Sequence, residues 1–200
     1  MRITELTGKA RERAIEKLAQ WQVDDVWWDD EYEHAKTEAV KRGMHIDTID
    51  WEGFYSQGSY ATWTGYVNVA EWIEWCKPNA GSLLPHMLVL EALVFEYVDN
   101  IVLVCAVHRR RMEIYDFDCY ERYSDDVVTN GPYRGADVGE LVKALDWAGL
   151  SEALRHDCED MAQEIYDALQ AEYEYLTSEE ACIEMAEAND YDFNEQGELQ

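Results

Sequence analysis

The sequence predicts an α+β fold, a central antiparallel sheet with N-terminal and C-terminal helices packed on it. Apolar residues recur at helical spacing in the first 43 residues, alternate like strands in the middle of the chain, and return to helical spacing in the last third. Helices that flank a run of strands, instead of alternating with them, are typical of this class. We expect a single α+β domain over 1–200, with 1–43 helical, 44–135 mainly β with one or two helices, and 136–200 an acidic helical segment.

The N-terminal segment predicts two helices. Thr7 is placed to cap the first, and the second is expected from 24 to 42, with Gly43 just beyond its end. The apolar stripe of the first helix is formed by Ala10, Ala14, Leu18 and Trp21. Carboxylates crowd the start of the second helix, where the helix dipole favours them. They are Asp24, Asp25, Asp29, Asp30, Glu31 and Glu33.

The middle of the chain predicts strands and short helices. One strand is expected around Ile46 and Ile49, and a turn at 56–59 leads to a second strand over 60–66. A short helix is expected over 69–76. A loop at Pro78, Asn79 and Gly81 follows, and then a buried helix over 82–97. The clearest hairpin pairs 101–108 with 112–120 through Arg109-Arg110-Arg111.

The last segment predicts three helices. The first, over 138–147, is expected to close at Gly149, and Ser151 is expected to cap a long second helix. Thr177 and Glu180 have the spacing of a capping box that starts the third. The core stripe of the long helix is expected at Leu154, Cys158, Met161, Ile165 and Leu169.

Acidic residues dominate the end of the chain. Sixteen carboxylates between 151 and 200 face one basic side chain, Arg155, so this quarter carries −15 of the total −27. Such charge repels nucleic acid and anionic membranes and attracts basic surfaces. We therefore predict a basic nucleic-acid-binding protein as partner, with no direct binding to nucleic acid or membrane.

The long helix arranges part of this charge in a line. Asp157, Asp160, Glu164 and Asp167 are spaced by three, four and three residues, or roughly 4.5–6 Å along the helix axis. Phosphates of a nucleic-acid strand follow at a similar spacing. The alternative interpretation is a solubilising helix face. The predicted partner-binding residues are Asp157, Asp160, Glu164, Asp167, Glu172, Glu174, Glu179 and Glu180.

A loop in the middle of the chain is the second candidate site. Gly53, Ser56, Gln57 and Gly58 combine two glycines with small polar side chains, which lets a ligand approach backbone N–H groups. His108, beside three arginines, could hold a phosphate or a carboxylate. The alternatives are a turn between strands, in which Gly58 supplies a positive φ, and a solvated hairpin tip.

Several chemistries have no support in the sequence. The five cysteines are odd in number and form no Cys-x-x-Cys pair, which is typical of reduced thiols in a cytosol. No His-Glu-x-x-His, Walker or Gly-x-Ser-x-Gly motif occurs, no apolar run approaches the roughly twenty residues of a membrane span, and no secretion signal opens the chain. We expect no cofactor, no metal ion, no enzymatic activity, and a location in the host cytoplasm.

Several segments, spread in order over nearly the whole chain, carry a family resemblance. They are Leu6–Arg11, Gly53–Ser59 with Gly65, the strand end Val107-His108, Tyr175–Glu180, Glu187–Phe193 and Gly197–Leu199. Together they resemble a family of small uncharacterised proteins of tailed bacteriophages, some of which carry an antitoxin-like description. Relatives of that family tend to have Asp where this chain has Ser59, and Glu where it has Arg109. If those acids form a metal or catalytic site in relatives, the resemblance implies that this chain lacks it.

These observations favour a phage protein that binds and inhibits a host or defence protein, of anti-CRISPR or anti-restriction type, with its acidic surface as a nucleic-acid mimic. An antitoxin-like partner of a small basic protein is one alternative. A degenerate enzyme with a site around Ser56, Gln57 and His108 is another. The sequence leaves the oligomeric state open, and a homodimer is one of the states it allows.

Overall fold

A computed structural model describes residues 1–24, 26–56, 58–89, 102–108, 111–114 and 144–200, with the backbone alone for 102–108, 111–114 and Trp147. The predicted α+β class is confirmed, because an antiparallel sheet packs against helices. The chain forms two compact units, Met1–Tyr32 with Asp167–Gln200 and Glu33–Tyr166. That the chain folds as one domain stays a prediction.

The α-helices are α1 (Gly8–Asp24), α2 (Asp29–Val40), α3 (Val69–Cys76), α4 (Trp147–Leu176) and α5 (Glu179–Ala188). The strands are β1 (Met44–Glu52), β2 (Tyr60–Asn68), β3 (Val102–His108) and β4 (Arg111–Ile114).

The first unit is built around α1 and α5. The predicted stripe of α1 is confirmed at Ala14 and Leu18, which are buried against Cys182 and Ala186 of α5. The chain after α5 turns back at Gly197, which has a φ of +81°. A Cβ on Gly197 would lie 2.1 Å from the Ala10 carbonyl oxygen, so glycine is required there by close approach.

The second unit contains the sheet, whose strands pair in the order β1-β2-β3-β4. Ile46 and Ile49 are both buried although they are three residues apart, which simple alternation does not allow. A register irregularity between Ile46 and Thr48 restores the phase. Trp63 of β2 is buried and donates through Nε1 to the Cys158 carbonyl of α4 at 3.2 Å, which joins the sheet to that helix.

Gly43 does not follow α2 directly, because the helix ends at Val40 instead of 42. Its φ is +73°, and a Cβ there would lie 2.6 Å from the backbone nitrogen of Trp72. The start of α3 therefore packs directly on this turn. Asn68 caps α3, since its side-chain oxygen accepts from the N–H groups of Ala70 and Glu71. The predicted helix over 69–76 is confirmed.

Three predicted helix starts are wrong. Helix α2 begins at Asp29 instead of 24, because Asp24 is the last residue of α1 and residues 26–28 are not helical. Helix α4 runs through Gly149 and Ser151 from Trp147, because the Asp146 carboxylate accepts from the Gly149 N–H at 3.0 Å and caps it earlier.

Helix α5 is the third case. Ser178, not Thr177, caps it by accepting from the Ala181 N–H. The Thr177 hydroxyl instead donates to the Tyr173 carbonyl at the end of α4.

The predicted core of α4 is confirmed, and several other predicted elements are described only in part. The five core positions of α4 are all buried. Residues 84–89 are helical, and the rest of the helix predicted to 97 lies outside the described residues. The same holds for 115–120 of the predicted hairpin and for 138–143. Among the cysteines whose side chains are described, Cys76, Cys158 and Cys182 are all buried free thiols. No helix in the described ranges is long and apolar enough to cross a membrane.

Candidate functional site

Two of the carboxylates in the predicted line on α4 have partners inside the second unit. Trp72 Nε1 donates to Asp157 Oδ2 at 2.8 Å, and the Cys76 thiol lies 3.5 Å from the same oxygen. Arg42 donates two hydrogen bonds to Glu164, at 2.9 and 2.6 Å. This pairing is the main reason why the pKa of Arg42 is raised. Asp157 and Glu164 therefore already have partners within the second unit.

The other carboxylates of the second unit on α4 are exposed or paired locally. Asp160 is exposed, with His156 Nδ1 2.8 Å from its Oδ2. Arg155 forms ion pairs with Glu152 and Glu159, so the single basic residue of this segment does make the mixed-sign pairs of an ordinary solvated helix.

The five remaining predicted acids belong to the first unit. Arg11 donates to Glu179 Oε1 at 2.6 Å, and Gln170 donates to Glu174 at 2.8 Å. Asp167 and Glu180 are exposed, the latter in the first turn of α5. Glu172 is half-buried, and its pKa is raised.

Glu172 of α4 lies near two carboxylates in the first turn of α2, Asp30 and Glu31. Burial raises the pKa of Glu172, and the nearby charges of Glu31 and Asp30 raise it further. Within the described residues none of these three carboxylates forms an ion pair. Three like charges held together without a cation cost free energy in the folded state. An arrangement of this kind is expected where a binding partner supplies the missing charge.

Aromatic side chains adjoin this cluster. The Trp27 ring lies 5.8 Å from that of Trp28 and 5.9 Å from that of Tyr173, and all three side chains are half-buried. Tryptophan and tyrosine are the residue types most enriched at the energetic centres of protein interfaces. We call this surface the acidic–aromatic patch; it consists of Trp27, Trp28, Asp30, Glu31, Glu172 and Tyr173.

A cavity of about 190 Å³ lies in the second unit beside Asp157. The residues that build it come from α3, the turns after it, the helical residues 84–89 and the start of α4. Leu83 contacts that start closely, since a Cβ on Gly149 would lie 2.8 Å from Leu83 Cδ2. The lining residues are Trp75, Cys76, Asn79, Ala80, Leu83, Met87, Ala153 and Asp157.

The predicted loop site is a tight turn between β1 and β2. Ser59 Oγ lies 2.8 Å from Ser56 Oγ and accepts from the Ser56 N–H at 3.1 Å, so the two serines close the turn on each other. Gly53 and Gly58 have φ values of +58° and +100°, as a turn requires. Tyr55, between them, is 71% exposed.

Only part of the set Ser56, Gln57 and His108 is described. Gln57 lies outside the described residues. His108 ends β3, with Val107 opposite Trp63 of β2, so its backbone is at the same end of the sheet as the loop. The topology therefore brings the two predicted segments to one end of the sheet. No group of three metal-ligating side chains occurs among the residues the structure describes.

Sequence analysis missed the residues that surround Asp157. The dense aromatic content of α3, with Trp72 and Trp75 three residues apart, was the available signal. It does not identify a partner 85 residues away. The sequence identifies the acids at the start of the second helix, but the proximity of Asp30 and Glu31 to Glu172 follows only from the fold.

A family model described as Domain of unknown function (DUF8835) matches residues 27–179, which is more than half of the chain. The matched range contains the whole second unit and excludes α1. No curated protein and no solved structure matches the chain.

Proposed function

Because the chain belongs to the DUF8835 family, whose description states no activity, we propose a function from its charge and surface. It is a phage-encoded, non-enzymatic protein of the host cytoplasm that binds and inhibits a basic nucleic-acid-binding protein of the host or of a defence system. The acidic–aromatic patch carries this proposal, because it gathers carboxylates without a cation beside aromatic side chains.

The charge of the first unit supports a basic partner. This unit has nineteen carboxylates and five basic side chains, a net charge of −14, whereas the second unit has −13 in about twice as many residues. Two of the five basic side chains, Arg2 and Arg11, form ion pairs with Asp190 and Glu179. A surface of this kind accelerates encounter with a basic protein and disfavours contact with phosphates.

The patch supplies what a charged surface alone lacks. Exposed ion pairs contribute little affinity, typically about 0–1 kcal/mol each. Aromatic side chains bury large apolar areas and stack on guanidinium groups, so they add binding free energy and select arginine. Arginine and lysine are the residues with which proteins contact nucleic-acid backbones. The patch is therefore suited to occupying such a surface as a nucleic-acid mimic.

The proposal is tested by capture of partners from infected host lysate on the immobilised full chain, with elution in steps of rising salt. We expect a basic nucleic-acid-binding protein that elutes as salt increases, because screening weakens the contact. A gel shift with duplex DNA at micromolar protein and physiological salt should show no complex. Direct DNA binding would contradict the proposal, and capture of a small basic protein without nucleic-acid-binding activity would favour the antitoxin-like alternative.

A further inference from the structure

The cavity beside Asp157 has the chemistry of a site for a cation on an apolar stem. Among the lining residues that the structure describes, Asp157 alone is charged, and Trp75, Ala80, Leu83, Met87 and Ala153 give the cavity apolar walls. Trp75 and Asn79 are exposed and mark its rim, whereas Cys76 and Met87 are buried and mark its floor. A side chain entering it would place its stem against apolar atoms and its end near the carboxylate.

Asp157 has hydrogen-bonding capacity left for such a group. A carboxylate accepts about four hydrogen bonds, and both contacts of Asp157, from Trp72 Nε1 and the Cys76 thiol, fall on Oδ2. Within the described residues Oδ1 has no hydrogen-bond partner. No buried side-chain oxygen in that part of the chain lacks a partner, so Oδ1 is accessible to solvent. Burial and the Asp157 charge raise the pKa of Cys76 far above its usual value, so its thiol remains a neutral donor.

The size of the cavity limits its occupant. Sites for drug-sized ligands and cofactors occupy roughly 300–1,000 Å³, whereas this one has about 190 Å³. A nucleotide is therefore too large, and a single side chain fits. Because the wall is mostly apolar, the cation that fits best is the weakly hydrated guanidinium and not the strongly hydrated ammonium.

A neighbouring contact shows the same chemistry within the chain. The Arg42 guanidinium lies 5.3 Å from the centre of the Trp75 ring. Arg42 is not among the described lining residues, and its main partner is Glu164, to which it donates two hydrogen bonds. The Asp157 charge contributes a smaller part to the raised pKa of Arg42 but forms no hydrogen bond with it. Asp157 is therefore the carboxylate that lines the cavity, with an aromatic ring at the rim that already lies against one guanidinium.

We infer that this cavity is a binding site for one arginine side chain of a protein ligand, with Asp157 as its anion and Trp75 at its rim. The site lies within the second unit and does not depend on the acidic–aromatic patch. If binding at the patch is disproved, the arginine site is not affected, and the reverse also holds.

The test uses Nα-acetyl-arginine amide as the probe and Nα-acetyl-citrulline amide as its neutral isostere. Each is titrated into the full-length ¹⁵N-labelled protein, and the indole N–H signal of Trp75 is followed after assignment with Trp75→Phe. The arginine probe should give a saturable shift with a dissociation constant of about 1 mM, which is ordinary for a ligand of this size. Citrulline should bind at least about tenfold more weakly, because it carries no charge for Asp157.

Two variants test the residues. Asp157→Asn keeps an oxygen for Trp72 and should weaken arginine binding at least about tenfold, while Asp160→Asn, on the exposed face of the same helix, should leave it unchanged. Ala153→Leu fills the cavity without altering Asp157 and should abolish the shift, which decides the matter if Asp157→Asn does not fold. Equal shifts with citrulline, or unchanged binding in Ala153→Leu, would overturn the assignment.

Discussion

The indole of Trp72, which is 1% exposed, donates its hydrogen bond to a carboxylate 85 residues away, Asp157. A buried indole N–H needs an acceptor, and here the acceptor comes from a helix whose composition indicates solvent-facing charge. Asp157 therefore serves the fold of the second unit as well as its cavity. The acidic composition of α4 accordingly includes residues with a structural role.

Removing this acceptor should destabilise the second unit. Asp157→Ala leaves the Trp72 N–H without a partner in a buried position, which typically costs about 1–3 kcal/mol. Asp160→Ala removes the same charge from an exposed position and should change stability by less than about 0.5 kcal/mol. Urea unfolding followed by tryptophan fluorescence measures both. Equal stability of the two variants would show that the hydrogen bond contributes nothing.

Neutralising the acidic–aromatic patch should weaken binding to a basic partner. The variant Asp30→Asn, Glu31→Gln, Glu172→Gln is expected to bind about tenfold more weakly at low salt and to show a flatter salt dependence, since interface charge mainly sets the association rate. Surface plasmon resonance at several salt concentrations measures both effects on the captured partner.

A matched control separates the patch from total charge. Glu12→Gln, Glu16→Gln, Glu187→Gln removes the same three charges from exposed positions of the first unit. If the control binds as weakly as the patch variant, the charge acts without a defined contact.

Reversing the charges of Asp157, Asp160, Glu164 and Asp167 together is a poorer test of partner binding. Asp157 and Glu164 have partners inside the chain, so the variant would also disturb the fold.

Glu172 should make the stability of the first unit fall as pH rises. Its pKa is raised in the folded state, so the folded chain holds this proton more tightly than the unfolded chain does. Stability attributable to Glu172 is therefore highest below its unfolded pKa and declines as pH rises to the higher folded pKa. Glu172→Gln should remove that decline and raise the melting temperature at neutral pH by on the order of 1 °C.

The control for this effect is Glu187→Gln, which makes the same charge change at an exposed position of α5. Thermal unfolding by circular dichroism compares the two from pH 4, just below the ordinary Glu pKa of roughly 4.3, to pH 7. A fall in melting temperature with pH that is as steep in Glu172→Gln as in Glu187→Gln would contradict the assignment.

Gly197→Ala should be strongly destabilising. The new Cβ would meet the Ala10 carbonyl 2.1 Å away at a φ of +81°, so the turn after α5 must move off α1. Gly53→Ala also has a positive φ, of +58°, but meets nothing within 4 Å. It should cost only the left-handed strain of about 1–2 kcal/mol. Comparable melting temperatures for the two variants would show that the contact with Ala10 is not needed.

Local sequence signals were enough to predict most of the elements. The stripe of α4 from Leu154 to Leu169 and the extent of α3 follow from the helical period of their side chains. Strands β1 and β2 follow from their β-branched and aromatic residues. Two of the three wrong helix starts, those of α4 and α5, failed where two candidate caps compete. Ser178 and Thr177 are adjacent, and Asp146 precedes both Gly149 and Ser151. Which side chain reaches a backbone N–H is decided by how the chain enters the helix, and apolar spacing carries no information about that.

The candidate site could be predicted only in its charge. Composition indicates a basic partner, but it does not distinguish Glu172, which meets Asp30 and Glu31, from Glu164, which meets Arg42. Both are acids on one helix, and the difference arises from contacts distant in sequence. The Ser56–Ser59 turn could be predicted from the sequence, because its hydrogen bonds are local and two glycines mark it.

Two buried thiols report how often each unit opens. Cys182 lies in the apolar cluster of the first unit and Cys158 lies in the second, and both side chains are 0% exposed. A disulfide reagent reacts with a thiolate that it can reach, so modification of such a thiol waits for the surrounding structure to open. The rates at which Cys158 and Cys182 are modified under native conditions, resolved by peptide mass, therefore report the opening of the second and the first unit separately.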